Sequence, residues 1–281
     1  MSEGLAATLT VVGAGTLLPH PDRGSASFHL EVGGESPHSL LMDAGSGTLH
    51  GLPRAGVDWR AIDTVALTHF HPDHVADLAP LLAAYRYEGL GAPLTLLGPH
   101  GLRHRLEAMA SLWGSWILEP SRPLTVVELE PGAAWSSDDG GVGLVAHDTP
   151  HTPESVAYRI TIPAAGDREG GGYVVGYTGD TGPSRSLGGF LTDCDLLVAE
   201  CALADPPEID THLGPEGVAR LACDARPELL LVSHVYPPQT PCEAVEAVRR
   251  SYPGRVEAAQ DGVRVRMTSS GVAMDRLDGR A

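Results

Sequence analysis

Three histidines and one aspartate fall within six residues in Thr68-His69-Phe70-His71-Pro72-Asp73-His74. Imidazole nitrogens and carboxylate oxygens at that density are donors suited to zinc or another first-row divalent metal. The plainer alternative is a solvated, pH-responsive histidine patch. Three more donors weigh against it, because each stands just after a β-like apolar run. His151 follows Val142–Ala146 and a turn, Asp180 follows Tyr173–Tyr177, and His234 follows Leu229–Ser233. Donors at the ends of several strands can converge on one edge of the sheets. A divalent metal held there lowers the pKa of bound water toward ~7, which is hydrolytic chemistry.

The elements that carry these residues follow from local pattern. The run Ile62–Leu67 reads as a buried strand that delivers the histidine block to its end. Three imidazoles and a carboxylate cannot all face one point from a regular helix or strand, but a strand-to-helix turn allows it. Pro72 suits the start of the helix, where its missing N–H costs nothing. Apolar runs predict strands at Ala7–Val12, Ser27–Val32, Ser39–Asp43, Thr64–Thr68, Leu94–Leu97 and Leu124–Leu129. Later strands are predicted at Val142–His147, Val156–Ile162, Tyr173–Tyr177, Asp195–Ala199, Leu229–Ser233 and Val263–Thr268. Helical patterns lie at Asp73–Tyr87, Leu102–Leu112, Pro215–Cys223 and Pro241–Ser251. Each half of the chain acquires helices after its strands. That order predicts α/β architecture, two sheets face to face with helices outside, in one domain over residues 1–281. Ala164–Gly172 reads as a flexible loop. Val11 to Gly15 ends in Gly-Ala-Gly-Thr, but Pro19-His20-Pro21 blocks the helix that a dinucleotide fingerprint requires, so a tight turn leading toward a site is the reading.

Composition sets the limits. There are 19 basic and 36 acidic residues, a net charge of −17. That excludes a broad basic surface for extended nucleic acid and docking on an anionic membrane. No apolar run approaches the ~20 residues that span a bilayer. The start of the chain carries an acid where a signal peptide carries basic residues. Cys194, Cys201, Cys223 and Cys242 form no C-x-x-C pair; they read as small, buried, reduced side chains of a cytoplasmic protein.

The ordered set resembles the metallo-β-lactamase-fold hydrolases over nearly the whole chain. The matching residues are Asp43 in Leu41-Met42-Asp43-Ala44-Gly45, the H-x-H-x-D-H block, then His151, Asp180 and His234. The resemblance implies a four-layer αββα sandwich and two divalent metals, zinc first, with manganese or iron as alternatives. One metal would take His69, His71 and His151, and the other Asp73, His74 and His234. Asp180 and a hydroxide would bridge them, and a homodimer is expected by resemblance alone. Two metals, two aspartates and one hydroxide sum to roughly +1, a core that attracts an anionic substrate despite the acidic chain.

Three features point within the superfamily to the tRNA 3′-endonuclease (tRNase Z) branch and its phosphodiesterase relatives. An aspartate, not a cysteine, stands at Asp180. Glu200 and His212 resemble that branch's acid–histidine pair, in which His212 would protonate the leaving oxygen while Glu200 orients it. His151-Thr-Pro-Glu-Ser155-Val-Ala-Tyr158 resembles its H-x-x-x-S-x-x-Y pattern, so Ser155 and Tyr158 are candidate substrate contacts. The late Asp261-Gly262 matches too. Arg23, in Pro21-Asp22-Arg23-Gly24-Ser25, is a candidate phosphate contact, although a solvated turn explains it as well. The long basic arm that grips tRNA in that branch has no counterpart among the 28 residues from His151 to Asp180. Asp77 stands where many relatives have glycine, a form more like the smaller phosphodiesterases.

The reading is therefore hydrolysis of a small, cyclic-nucleotide-like phosphodiester by a metal-bridged hydroxide, with Asp73, Glu200 and His212 as catalytic candidates. The rivals are tRNA 3′ processing and thioester or lactone hydrolysis on the same metals. Among the remaining residues, His147 is a candidate support for the site. His100 and His104 are expected on a solvated helix face, and Trp113 and Trp116 in core packing.

Overall fold

The computed structural model describes residues 5–34, 37–164 and 171–275. Its strands are, in chain order, β1 (Leu5–Gly13), β2 (Ser27–Val32), β3 (His38–Met42), β4 (Thr64–Ala66), β5 (Leu94–Gly98), β6 (Leu124–Glu128), β7 (Ala134–Ser136), β8 (Gly143–Asp148), β9 (Val156–Ile162), β10 (Tyr173–Tyr177), β11 (Leu196–Glu200), β12 (Leu229–Ser233), β13 (Val256–Ala258), β14 (Arg264–Thr268) and β15 (Gly271–Asp275). The helices are α1 (Thr48–Arg54), α2 (Pro72–Val75), α3 (Leu78–Glu88), α4 (Leu102–Trp113), α5 (Arg185–Phe190), α6 (Pro215–Ala225) and α7 (Pro241–Arg249). One sheet runs β15-β14-β1-β2-β3-β4-β5-β6 and the other β13-β12-β11-β10-β9-β8-β7.

Alternation along the strands builds the layers. On β12, Leu229 and Leu231 face the other sheet, while Leu230 and Val232 face α6 and α7. On β3, Leu40 and Met42 enter the core between the sheets, and Leu41 joins the layer under α1, α3 and α4. Both faces are covered, so these strands read as continuous apolar runs rather than alternating ones. The result is the expected αββα sandwich. No helix among the described residues is long and apolar enough to cross a membrane.

Strand direction creates the site edge. β3 to β6 pair in parallel, as do β10 to β13. β8 and β10 both run antiparallel to β9, so β8, β10, β11 and β12 end on the same edge. Ligands of parallel sheets bind at carboxyl ends of strands. Asp43, the His69–His74 block, His151, Asp180, Glu200 and His234 all stand at such ends.

The structure departs from the sequence reading in several places. The helix expected over Asp73–Tyr87 is two helices, α2 and α3. Between them the Asp77 amide donates to the Ala44 carbonyl at 2.9 Å, and its carboxylate accepts from the Leu49 amide at 2.9 Å, at the start of α1. The break lets His74 face the site while α3 packs on the sheet. The expected strand Thr64–Thr68 ends at Ala66, because the Thr68 amide donates to the Asp43 carboxylate at 2.8 Å rather than to a strand. The short β7, β13 and β15 and the helices α1 and α5 were not legible. Cys194 and Cys201 are buried as expected, but Cys223 and Cys242 are exposed. Of the Ala164–Gly172 loop, residues 165–170 lie outside the described residues.

Candidate metal centre and acid site

Two groups of donors converge at this edge. His69, His71, His151 and Asp180 offer ligand atoms within 4.8 Å of one another, and so do Asp73, His74 and His234. Asp180 stands between the groups. Its Oδ2 lies 3.8 Å from His69 Nε2 and 3.7 Å from His151 Nε2; its Oδ1 lies 3.3 Å from His74 Nε2 and 3.6 Å from His234 Nε2. Gly179 aims it. This residue has φ 54°, and a Cβ there would come within 2.7 Å of the Thr68 Cβ, so the turn needs glycine.

Three of these atoms, His69 Nε2, His74 Nε2 and Asp180 Oδ1, are buried without a hydrogen-bond partner. Orphaned buried polar atoms are rare and call for an explanation. The arrangement supplies one. His74 Nδ1 faces the Asp43 carboxylate at 2.7 Å, and His151 Nδ1 faces the Thr211 carbonyl at 3.0 Å. Both partners are acceptors, so Nδ1 carries the proton and Nε2 presents its lone pair inward. His71 Nδ1 and His151 Nε2 then approach to 3.0 Å, and His74 Nε2 opposes a carboxylate oxygen. Converging lone pairs fit cations between them, so these residues suit divalent metals.

Asp43 supports this arrangement. It is fully buried and sits at φ 56°, a left-handed conformation that aspartate tolerates. Besides His74, it accepts from the Thr68 amide and hydroxyl and from the Tyr177 hydroxyl at 2.6 Å. His234 also has φ 56°; its amide donates to the Ala14 carbonyl at 3.2 Å. The Ala14 amide in turn donates to Asp261 Oδ1 at 2.9 Å, and Asp261 Oδ2 accepts from Gly24 at 2.7 Å. The Gly-Ala-Gly turn is thus a support for a ligand strand. The role of Asp43 was missed from sequence, although its place after the apolar Leu40–Met42 run was a signal.

Charge is concentrated here. Burial, then the neighbouring imidazoles led by His74, pushes the His69 pKa well below its ordinary range. Burial also acts to lower His74, but in the metal-free protein the carboxylates of Asp180 and Asp43 hold it well above. Burial acts to raise Asp180, yet His234 and His74 hold it well below the carboxylate range.

Beside the cluster, His212 Nδ1 lies 2.8 Å from Glu200 Oε1. Glu200 also accepts from the amides of Thr181, Ala202 and Leu213 at 2.7, 3.0 and 3.3 Å. Four donors leave it only an acceptor's role, which fits the ionised carboxylate. Burial acts to lower the His212 pKa, and Glu200 raises it above the usual histidine value. The His212 ring stands 4.7 Å from that of His151, and its ligand atom lies within 4.8 Å of those of Asp180 and His234.

Other expectations are placed differently. The Tyr158 hydroxyl is fully buried and donates to the Leu67 carbonyl at 2.5 Å, tying β9 to the strand that leads to the histidine block. The buried Ser155 hydroxyl accepts from the Thr152 amide at 3.0 Å and so closes the His151 turn. Arg23 lies in a turn with His20. Its guanidinium makes no hydrogen bond among the described residues, and its charge acts on Asp261. His147 packs on Phe190 at 4.8 Å rather than on the site. Trp116 packs against the core, but Trp113 is 51% exposed.

Fold, strand-end donors and orphaned nitrogens define a class: the chain belongs to the beta-lactamase superfamily, whose domain matches residues 38–235, and it is a metallohydrolase. Ribonuclease Z of Mycobacterium bovis (strain BCG / Pasteur 1173P2) is 28% identical over 92% of this chain and 97% of its own length. Ribonuclease BN of Cronobacter sakazakii is 27% identical over 80% and 88%. Among solved structures, the metallo-beta-lactamase fold protein YhfI from Bacillus subtilis matches with a TM-score of 0.77 at 23% identity, covering 92% of this chain and 98% of that one. Yeast PDE1 matches with a TM-score of 0.66 at 16% identity, covering 92% and 99%.

Proposed function

We propose that this chain is a phosphodiesterase that hydrolyses a small phosphodiester at a two-metal centre. The observation that carries this reading is the His212–Glu200 pair beside the metal donors. A proton donor is what a phosphodiester's departing oxygen needs. Bound metals would activate water and neutralise charge on the phosphoryl group. The chain's residues do the rest. His69, His71 and His151 with Asp180 would hold one ion, and Asp73, His74 and His234 with Asp180 the other. Asp43 and Thr211 fix the ligand tautomers. Glu200 holds His212 by Nδ1, leaving Nε2–H to protonate the leaving oxygen. The −17 net charge supports a small anionic substrate over a polyanion, which it would repel. Zinc suits the nitrogen-rich donor set, with manganese or iron as alternatives.

The 28% identity to a ribonuclease Z over most of both chains favours a second reading, tRNA 3′ processing. The experiment is one panel on the metal-loaded protein: a cyclic nucleotide, methyl 4-nitrophenyl phosphate, a precursor tRNA, a thioester and a lactone. Turnover of the two small diesters above all others is expected. Cleavage of the precursor tRNA alone selects the second reading. Turnover of only the thioester or lactone refutes both, and leaves His212 and Glu200 without a role.

A further inference from the structure

A cavity of about 590 Å³ is walled by Phe70, His100, His104, Arg105, Glu130 and Pro153 among others. It is continuous in chain with the site. Phe70 lies between His69 and His71, and Pro153 follows His151 by two residues. The Arg105 guanidinium stands 5.3 Å from the Phe70 ring centroid, a cation–π contact that fixes both groups. The wall is held in place. Glu128 Oε1, at the end of β6, accepts from the amides of Gly101 and Arg103 at 3.1 and 2.9 Å, anchoring the start of α4. His100 Nδ1 lies 3.5 Å from Glu130 Oε1. His104 is exposed and makes no hydrogen bond among the described residues.

We propose that this cavity holds the nucleoside of the substrate, with Phe70, His104 and Arg105 as specificity-determining residues; this rests on the phosphodiesterase reading. Its volume is within the ~300–1,000 Å³ of small-molecule sites. The chemistry selects a heteroaromatic base over a second phosphate, because Glu130 and the neighbouring Glu154 offset the charge of Arg105. A base offers a flat π-face to the Phe70–Arg105 pair and polar edges to imidazole and carboxylate. Aliphatic groups would leave those polar atoms unmatched.

The test measures binding to the metal-loaded protein by calorimetry. A nucleoside 5′-monophosphate is compared with ribose 5-phosphate, which lacks the base. The wild type is expected to bind the nucleotide about tenfold tighter, as base stacking allows. Arg105→Ala and His104→Ala should each bring the two affinities together. Arg220→Ala, on the distant α6, should leave the preference intact. Equal binding of both phosphates by the wild type overturns the proposal, as does a preference that survives Arg105→Ala. Wild-type turnover of methyl 4-nitrophenyl phosphate reports the phosphodiesterase reading separately. Its absence overturns that reading, whereas equal binding overturns only the cavity's role.

Discussion

Asp43→Asn removes one charge and changes one atom type at the centre of the site's support. Asparagine tolerates left-handed backbone, so the φ of 56° introduces no new strain. The carboxylate accepts from the Thr68 amide at Oδ1 and from His74 Nδ1 and the Tyr177 hydroxyl at Oδ2, and the Thr68 hydroxyl is shared between the two oxygens. An amide offers one acceptor, so its NH2 must confront one side. The Thr68 amide cannot reverse its polarity, and a buried N–H left unpaired costs roughly 1–3 kcal/mol. A hydroxyl can rotate and an imidazole can change tautomer. The oxygen therefore stays on Thr68, and the NH2 turns to His74. His74 responds by placing its proton on Nε2, where the lone pair should face the metal. Loss of such a supporting partner costs about 10–100-fold in metal affinity, roughly 1.4–2.7 kcal/mol. Competition against a calibrated chelator, read by elemental analysis, measures it, and thermal melting of the metal-free protein checks the fold. Wild-type affinity in a folded Asp43→Asn protein would refute the tautomer argument.

His71→Ala should lower bound metal and turnover together; unchanged stoichiometry by elemental analysis would remove His71 from the ligand set. His212→Ala should keep the metals and lose about 10²–10⁴-fold of bis(4-nitrophenyl) phosphate turnover, the usual worth of a positioned acid. Near wild-type rates would sink its role. His29 on β2, bonded to Ser39 at 2.8 Å, carries a prediction away from the metals. Burial, then Arg264, pushes its pKa from 6.5 down to about 4. The unfolded chain therefore binds the proton first, so the contribution is present above pH 6.5 and is lost as pH falls toward about 4. At about 1.36 kcal/mol per pH unit, it is at most about 3.4 kcal/mol. His29→Gln should flatten the acid side of the melting-temperature profile, and an unchanged slope between pH 6.5 and 4 would contradict it.

What the sequence made legible follows from where information is local. Continuous apolar runs such as Leu229–Ser233 marked strands covered on both faces, and a donor after each run marked the edge. Short segments such as β7 and β13 hold too few residues to show a period, and pairing with neighbours defines them. Tyr158 and Ser155 illustrate the other limit. Their spacing from His151 was visible, but whether a hydroxyl faces a substrate or the Leu67 carbonyl depends on the opposing strand. Trp113 failed for the same reason. Composition favours aromatic burial, and only the packing of α4 shows that its last turn projects outward. Asp43 was visible as a residue yet not as a support, because its four donors come from two segments far apart in sequence from it and from each other.

The same supports bear on what the metals contribute to folding. Small zinc domains unfold without metal because nothing else closes their core. Here the core between the sheets is built from residues such as Phe28, Leu30, Tyr158 and Leu231, none of which awaits a ligand. The His74 and His151 side chains are held from behind by Asp43 and the Thr211 carbonyl, and the His234 backbone by the Ala14 carbonyl. Chelation should therefore leave the far-ultraviolet circular dichroism unchanged. It should lower the melting temperature only by the linkage of binding, about 4 kcal/mol at a free metal concentration 1,000 times Kd, and re-addition should restore it. The carboxylates of Asp73 and Asp180 face imidazoles, so protons can partly replace the missing charge. Cooperative unfolding on chelation at 25 °C would mean that the metals, and not the strand-end supports, hold this edge together.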